Sequence, residues 1–596
     1  MIDGQECPSY ISFPQRWDER LSKRGSPYPD VAPGSHAPLQ AGVADSSRRE
    51  TVMTGAEILV EELQARGVKF IATLNGHGLD PIYLACRQAG MRMIDVRNEQ
   101  AAGYMAEVTG RLTRSVGVCA VSGAVAHANA LTGVLNAWFD GAPMLLITGI
   151  TPLAELGWGN FQDFNPVPMA EPICKYARLV DTPHRVGQFV HEAFAAATSG
   201  RPGPVHLAMP LDVGSAEVDN KDVIRSKVRR GEVALAGLGD PDLVAEAARM
   251  LRQAERPVLV IGSGLYYARG EVALARFLTQ QRIPTMLPIW DRGSVVQTNE
   301  AFLGVVGAAS GEPRILAEAD LVILAGAEFD YRVCQISPPG LASNAQVVRI
   351  HADPSRLRNG LDAHLSILGS PAAVLEQLAD ECRRLNCPPA ESWLAEARRR
   401  RQQFRQQCLE TATRLRPGIN GCDVVQAIHQ VVTEETVWLV DGGNIGQWFH
   451  QLLPNRCPGH WITCGASGVV GWGLPGAIAA RAIDPDRPVI LLSGDGSFTF
   501  TVAELECAAR QDLPFVAVVA DDQRWGITAS GQTKQYGQPL YSTLGPTRLD
   551  RVAEGFGCVG LRVESAERLV PALQEALAAG RPTVIHVPIV PGGPSD

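Results

Sequence analysis

Apolar and polar positions alternate along this chain in blocks. Short apolar runs rich in β-branched residues recur at positions 70–74, 93–96, 205–209, 257–261, 321–325, 346–350, 437–440, 488–492 and 515–519. Each has the length and composition of a buried strand. Between them the apolar residues fall on one side of a 3.6-residue period. Ile58, Leu59 and Leu63 share a face in 56–66, and Val502, Leu505 and Ala509 share one in 501–510. Both stretches are predicted helices. Strand and helix alternating in this way predict an α/β chain with doubly wound parallel sheets. The blocks group into three such units, over 51–215, 236–380 and 416–596. Residues 1–50, rich in Pro, Ser, Gly and charge, are predicted to form an N-terminal extension, an arm without sustained periodicity. Polar stretches divide the units: 214–235 is read as a linker, and 381–415 as a solvated helical connector.

Composition narrows the class. The 596 residues are 45% hydrophobic and 20% charged, with a net charge of −9 and no long basic run. That excludes nucleic acid as a main partner. No apolar stretch reaches the roughly 18 residues of a membrane span, and the N-terminus lacks a basic-then-apolar leader pattern, so a cytoplasmic protein is expected. The 13 cysteines are scattered, several of them inside apolar runs, and no Cys-x-x-Cys occurs. Reduced thiols are expected, without a metal cluster.

The chemistry concentrates at Gly494-Asp495-Gly496-Ser497. Asp522, of the pair Asp521-Asp522, follows 27 positions after Asp495. A strand, Gly-rich turn, helix, strand unit brings both strand ends to one edge of a parallel sheet. One carboxylate then stands at each strand end, and two oxygen ligands beside a Gly-rich turn suit a hard divalent cation that also holds a diphosphate. Read without that context, Gly-Asp-Gly is an ordinary surface turn. Glu99, in Arg97-Asn98-Glu99-Gln100-Ala101-Ala102-Gly103, is predicted in the first turn of a helix. From this segment alone, a helix-start carboxylate stabilised by the macrodipole is the better reading. The glycine-rich stretch Gly465 to Pro475 implies close backbone approach to something.

Together these segments resemble the thiamine diphosphate (ThDP) enzymes, over about residues 54–590. The resemblance implies three doubly wound domains, pyrimidine-binding, middle and diphosphate-binding, with ThDP and Mg²⁺ as cofactors. It implies metal ligation by Asp495, Asp522 and the backbone carbonyl of Arg524. The family more often carries Asn-Asn where this chain has Asp521-Asp522; an Asp there keeps an oxygen ligand. Glu99 would hydrogen-bond the aminopyrimidine ring, the Gly468 carbonyl would accept from its amino group, and Val470 would be the wedge that bends the cofactor. Asp441, Gly442, Asn444, Gly494, Gly496, Ser497, Trp525 and Gly526 complete the implied cofactor set. Because Glu99 and Asp495 lie in different domains, the family pattern implies a homodimer or homotetramer with active sites at subunit interfaces.

Further segments resemble the branch holding acetolactate synthase, benzaldehyde lyase and 2-hydroxyacyl-CoA lyase. They are Phe139 to Gly149, Phe161-Gln162-Asp163, Gly326 to Arg332, and His351-Ala352-Asp353-Pro354. On that resemblance Gln162, His77, Trp525 and Ile527 face the substrate, and His77 is a candidate acid–base; a turn histidine bonded to backbone is the other reading. His127 sits in Ser122-Gly123-Ala124-Val125-Ala126-His127, where relatives carry Ser-Gly-Pro-Gly, and is read either as a pocket residue or as a core or interface histidine. Gly262-Ser263-Gly264 is a weak nucleotide signal. Relatives bind FAD or a nucleotide in this domain or leave it empty, and here it is expected to be empty. The implied activity is C–C bond formation or cleavage next to a carbonyl, on keto acids, hydroxy ketones or aldehydes. Its alternatives are hydroxyacyl-CoA cleavage, a flavin-linked oxidase and a non-catalytic homologue.

Overall fold

The computed structural model describes residues 52–225, 237–307, 315–333, 340–342, 344–358 and 363–594. The expected N-terminal arm lies outside these residues, as does most of the expected linker.

Three six-stranded sheets form, each wholly parallel. The first runs, in spatial order, Arg92–Asp95, Phe70–Thr73, Gly117–Ser122, Met144–Ile150, Pro204–Pro210 and Tyr176–Leu179. The third runs Trp461–Thr463, Val437–Asp441, Val489–Gly494, Val516–Asp521, Thr583–Pro588 and Val559–Arg562. Numbered within each domain, both follow the order 2-1-3-4-6-5. The middle sheet follows 3-2-1-4-5-6, from Phe302–Val306 through Thr285–Pro288, Pro257–Ile261, Leu321–Ala325 and Gln346–His351 to Leu365–Leu368. That is the Rossmann order, whose crevice lies where the strand order reverses. The internal relation between first and third domains is thus topological; the sequence shows no matching repeat.

Three expectations are corrected. The helix predicted over 501–510 forms only over Glu504–Arg510, and a separate short helix, Asp495–Phe500, stands before it where a turn was expected. Thr501 separates the two by leaving helical geometry and donating its Oγ1 to the Gly471 carbonyl at 2.8 Å. The connector is less solvated than its charge suggests. Pro371–Arg384 packs with the middle domain, and Glu391–Arg414 buries Trp393, Leu394, Ala397, Cys408 and Ala412. The start of the predicted linker belongs to the first domain, since Glu217–Asp219 pairs antiparallel with Val52–Thr54.

Two helices position the first domain's chemistry. Glu99–Thr113 is capped by the Asn98 side chain, which accepts from the Gln100 N–H at 2.9 Å. Val125–Asp140 crosses it backbone to backbone: a Cβ on Gly103 would stand 2.8 Å from the Ala130 carbonyl, and one on Gly133 2.4 Å from Gly103. Only glycine permits that approach. Below the crossing, Arg111 pairs with Glu107 at 3.2 Å and Asp140 at 3.0 Å, all fully buried. Trp472 of the third domain donates its indole N–H to Glu107 at 2.7 Å. Burial pushes the Glu107 carboxyl up, and the Arg111 charge opposes the shift. The first and third domains therefore share one core around Ala102, Tyr104, Met105, Trp472 and Leu474.

Candidate active site

The carboxyl edge of the third sheet carries the acidic turn. Val489–Gly494 and Val516–Asp521 are neighbours, with Gly494 opposite Ala520. Asp495 and Asp522 therefore leave adjacent strand ends together. The two residues of the Asp521-Asp522 pair do different work. Asp521 Oδ2 lies 2.8 Å from His586 Nε2, and its Oδ1 accepts from the Gln523 N–H at 3.1 Å. Asp522 lines the cleft. Its Oδ2 accepts from Asn444 Nδ2 at 3.3 Å and its Oδ1 from the Arg524 N–H at 3.2 Å. Burial, then the facing charges of Asp521 and Asp522, push the Asp495 carboxyl up to about 7. Burial raises Asp522 as well, against the Asn444 bond. Two carboxylates on adjacent strand ends, both raised by burial, are a donor pair of the kind a hard cation takes.

Around them opens a cleft of about 1130 Å³. Gly442, Asn444, Gly468, Val470, Gly494, Asp495, Gly496, Ser497, Asp522, Arg524, Trp525, Gly526 and Ile527 all line it. Trp525 lays its ring over Gly496, where a Cβ would stand 2.9 Å from Cζ3. Gly468 has φ +70 with nothing within 4 Å of its missing Cβ, so its backbone faces open space. Asp441 sits behind the lining. Its Oδ2 accepts from the Gly473 N–H at 2.7 Å, its buried Oδ1 has no partner, and burial pushes it up to about 6. Trp290 of the middle domain, at φ +74, and His450 also line the cleft. Neither was among the expected residues, because no local motif marks them.

The second cluster stands at the carboxyl edge of the first sheet. Glu99 is half-buried at its helix start and its Oε2 accepts from Asn129 Nδ2 at 3.0 Å. Asn129 and Glu99 each lie four residues before the glycine at the helix crossing, so that crossing sets their distance. His77 stands in its turn edge to face with Phe161, ring centroids 5.6 Å apart. The Asp163 carboxylate accepts from the Gly157 and Gly159 N–H groups at 2.9 and 2.7 Å, which closes the loop carrying Phe161 and Gln162. Gln162, at φ +55, passes over Gly123, and its buried Oε1 has no partner.

Family models agree with this division of labour. "Thiamine pyrophosphate enzyme, N-terminal TPP binding domain" matches residues 53–169, the central domain 244–378, and the C-terminal TPP binding domain 441–587. The chain belongs to the thiamine pyrophosphate enzymes. Relatives include the probable acetolactate synthase large subunit of Methanocaldococcus jannaschii, 27% identical over 90% of this chain and 92% of that protein. The acetolactate synthase isozyme 1 large subunit of Escherichia coli K12 is 28% identical over 91% and 97%. The acetolactate synthase large subunit of Parasynechococcus marenigrum is 29% identical over 93% and 92%. This is a ThDP-dependent enzyme of the acetolactate synthase branch.

The residues of this ThDP enzyme fit its cofactor. An acidic pair at a Gly-rich turn and the open backbone at Gly468 line one cleft, with the orphaned buried carboxylate oxygen of Asp441 just behind it. His127 is corrected: it does not reach the cleft. It is fully buried in the first domain, Nδ1 2.8 Å from Thr148 Oγ1, which also lies 3.0 Å from His206 Nε2. The second cleft, about 620 Å³, sits at the middle domain's switch point against the first domain. Of the guanidiniums lining it, Arg332 is bound to Asp291 and Asp330, and Arg201 pairs with Glu328 at 3.0 Å. Among the described residues, no helix is long and apolar enough to cross a membrane.

Proposed function

We propose that this enzyme is a Mg²⁺-dependent carboligase that takes an acyl group from a 2-keto acid and joins it to a second carbonyl, as the name acetolactate synthase describes for its relatives. The observation that carries the reading is Asp495 beside Asp522 at one sheet edge, in a cleft walled by glycine backbone, apolar side chains and a few polar groups such as Asn444 and Ser497. Asp495, Asp522 and the Arg524 carbonyl would hold the metal, and through it the diphosphate. Gly468 and Val470 would seat the rings. Bound ThDP supplies a nucleophilic carbon and an electron sink beside the substrate carbonyl.

The protein's own residues would do the rest. Glu99 would hold a proton at the pyrimidine through Oε1, the oxygen that Asn129 leaves unused. His77 would exchange a proton with a substrate carbonyl, and Gln162 would turn its free amide oxygen toward the donor. Ile527, Trp525 and Trp290 would keep water from the reacting carbon, which favours ligation over protonation.

His77, Glu99 and Gln162 do not line the Asp495 cleft of their own chain. We infer a homodimer, or a dimer of dimers, in which Glu99 of one chain meets Asp495 of its partner. Exposed Trp158, Phe161 and Val125 near the first cluster, and Phe500 near the second, supply apolar surface for that contact.

The test is to incubate the protein with ThDP, Mg²⁺ and a panel of keto acids and aldehydes, and to identify products by mass spectrometry. Ligated hydroxy-keto products are expected; aldehyde alone would overturn the carboligase reading. Mixing inactive Glu99→Gln and Asp495→Ala chains should restore activity after subunit exchange, since one site of each hybrid carries neither change. No recovery, with exchange demonstrated, would overturn the shared site.

A further inference from the structure

The helix Glu504–Arg510 of the third domain grips the two turns of the first domain that carry Glu99 and His77. Both oxygens of Glu504 accept from the Arg97 N–H, at 3.0 and 3.1 Å. The Asp95 carbonyl accepts from Arg510 Nη2 and from Gln511 Nε2, each at 2.9 Å. Asp95 then spreads its carboxylate: Oδ2 accepts from Arg510 at 3.3 Å, and Oδ1 from the Asn75 N–H at 3.3 Å. Asn75 opens the turn of His77.

Glu504 is 1% exposed. Burial pushes its carboxyl up to about 8, against the pull of the Arg97 N–H. A side chain needed only for packing would avoid that cost, because an apolar residue of similar size buries more cheaply. The carboxyl is instead aimed at the backbone amides of Arg97 and Asn98, the two residues before Glu99. Arg97 and Asn98 are themselves exposed, so the turn has little packing of its own.

We propose that Glu504 is a positioning residue for Glu99: by anchoring the Arg97 amide from the third domain, it fixes where the Glu99 carboxylate stands. This rests on reading Glu99 as the partner of the cofactor's pyrimidine. Misplacement of a reacting group by about 1 Å can cost on the order of 10²-fold in rate, so a turn held by so few contacts needs such an anchor. The helix continues the segment that opens at Asp495, so one stretch of chain bears the metal turn and steadies the acid–base turn.

The test compares Glu504→Ala with the conservative Glu504→Gln, whose amide oxygen still accepts from Arg97. Amide hydrogen exchange is followed by mass spectrometry on the full chain without added cofactor. In Glu504→Ala, exchange in peptides covering 96–104 should rise by about 10-fold, while 489–500 stays at the wild-type rate. Its kcat should fall by about 10-fold or more with KM within about threefold. Glu504→Gln should keep most of the protection and most of kcat.

Unchanged exchange in Glu504→Ala would overturn the proposal. So would a Glu504→Gln enzyme as slow as Glu504→Ala despite retained protection, because charge rather than position would then matter. If Glu504→Ala fails to fold, Arg510→Ala and Gln511→Leu loosen the same turn through Asp95; unchanged exchange in both would overturn the proposal. Failure of the Glu99 reading is distinguishable: Glu99→Gln would then keep full activity, while the exchange result in apo protein would stand.

Discussion

Asn129 Nδ2 donates to Glu99 Oε2 across 3.0 Å, joining two helices that meet backbone to backbone at Gly103 and Gly133. The bond takes one carboxylate oxygen and leaves the other, which the proposed function assigns to the cofactor. Glu99→Gln should leave the fold intact and slow C2–H exchange on bound ThDP by on the order of 10²-fold, the range of general acid–base effects. Asn129→Ala should lower it by a smaller factor, about 10-fold, because the carboxylate stays and only its orientation loosens. Exchange monitored by NMR after acid quench decides both. Wild-type rates in Glu99→Gln would remove Glu99 from the mechanism.

The division of Asp521 from Asp522 has its own consequence. Asp495→Ala should abolish Mg²⁺-dependent ThDP binding, since it deletes an anionic ligand of a hard cation. Asp522→Asn should weaken binding far less, because an amide oxygen still coordinates and the Asn444 contact can reverse its polarity. Calorimetric titration with ThDP, with and without Mg²⁺, is the measurement. An Asp495→Ala protein with unchanged affinity would refute the metal turn.

Ile527 stands against Gly443, whose Cβ, if present, would lie 2.8 Å from Ile527 Cδ1, and it projects into the cleft. Ile527→Ala should admit bulkier acceptors, shifting their preference by roughly 1–3 kcal/mol, the worth of one or two methylenes of apolar contact. C2–H exchange should not change. The product profile over small and bulky aldehydes reads the effect; a wild-type profile, or exchange as slow as in Glu99→Gln, would show that Ile527 does not face the substrate.

His127, Thr148 and His206 predict a pH dependence of stability. One imidazole donates to the Thr148 hydroxyl and that hydroxyl donates to the other, an arrangement that needs both rings neutral. Burial pushes His127 down to about 4, and His206 well below its ordinary value. The unfolded chain therefore binds more protons between about pH 6.5 and 4, and stability present above pH ~6.5 is lost as pH falls through that window. A tenfold weaker hold on the proton is worth about 1.4 kcal/mol, so keeping His127 neutral contributes on the order of 3 kcal/mol. His127→Asn should shrink the drop in thermal midpoint between pH ~7 and ~5. An equal drop in wild type and variant would show that His127 does not titrate on unfolding.

By itself, the sequence determined whatever depends on neighbours along the chain. Val489–Gly494, the turn at Asp495 and Val516–Asp521 were legible, because an apolar run bounded by glycine leaves the backbone few other options, and two such runs joined by a helix must lie parallel. Asn98 before Glu99 announces a helix start for the same local reason. The tertiary structure decided what depends on residues brought together from afar. Glu504 reads in sequence as one more polar position on a helix; only its burial against Arg97, 407 residues away, shows its task. Asp521 and Asp522 look alike until His586 claims one of them. The His127 ring could have faced substrate or core, and a helix packed over Thr148 and His206 put it in the core. The charged 381–415 stretch hid a buried face, since arginine-rich helices can still pack one side. Local pattern sets the element, but burial sets the charge state and the partner, and burial is a property of the packed whole.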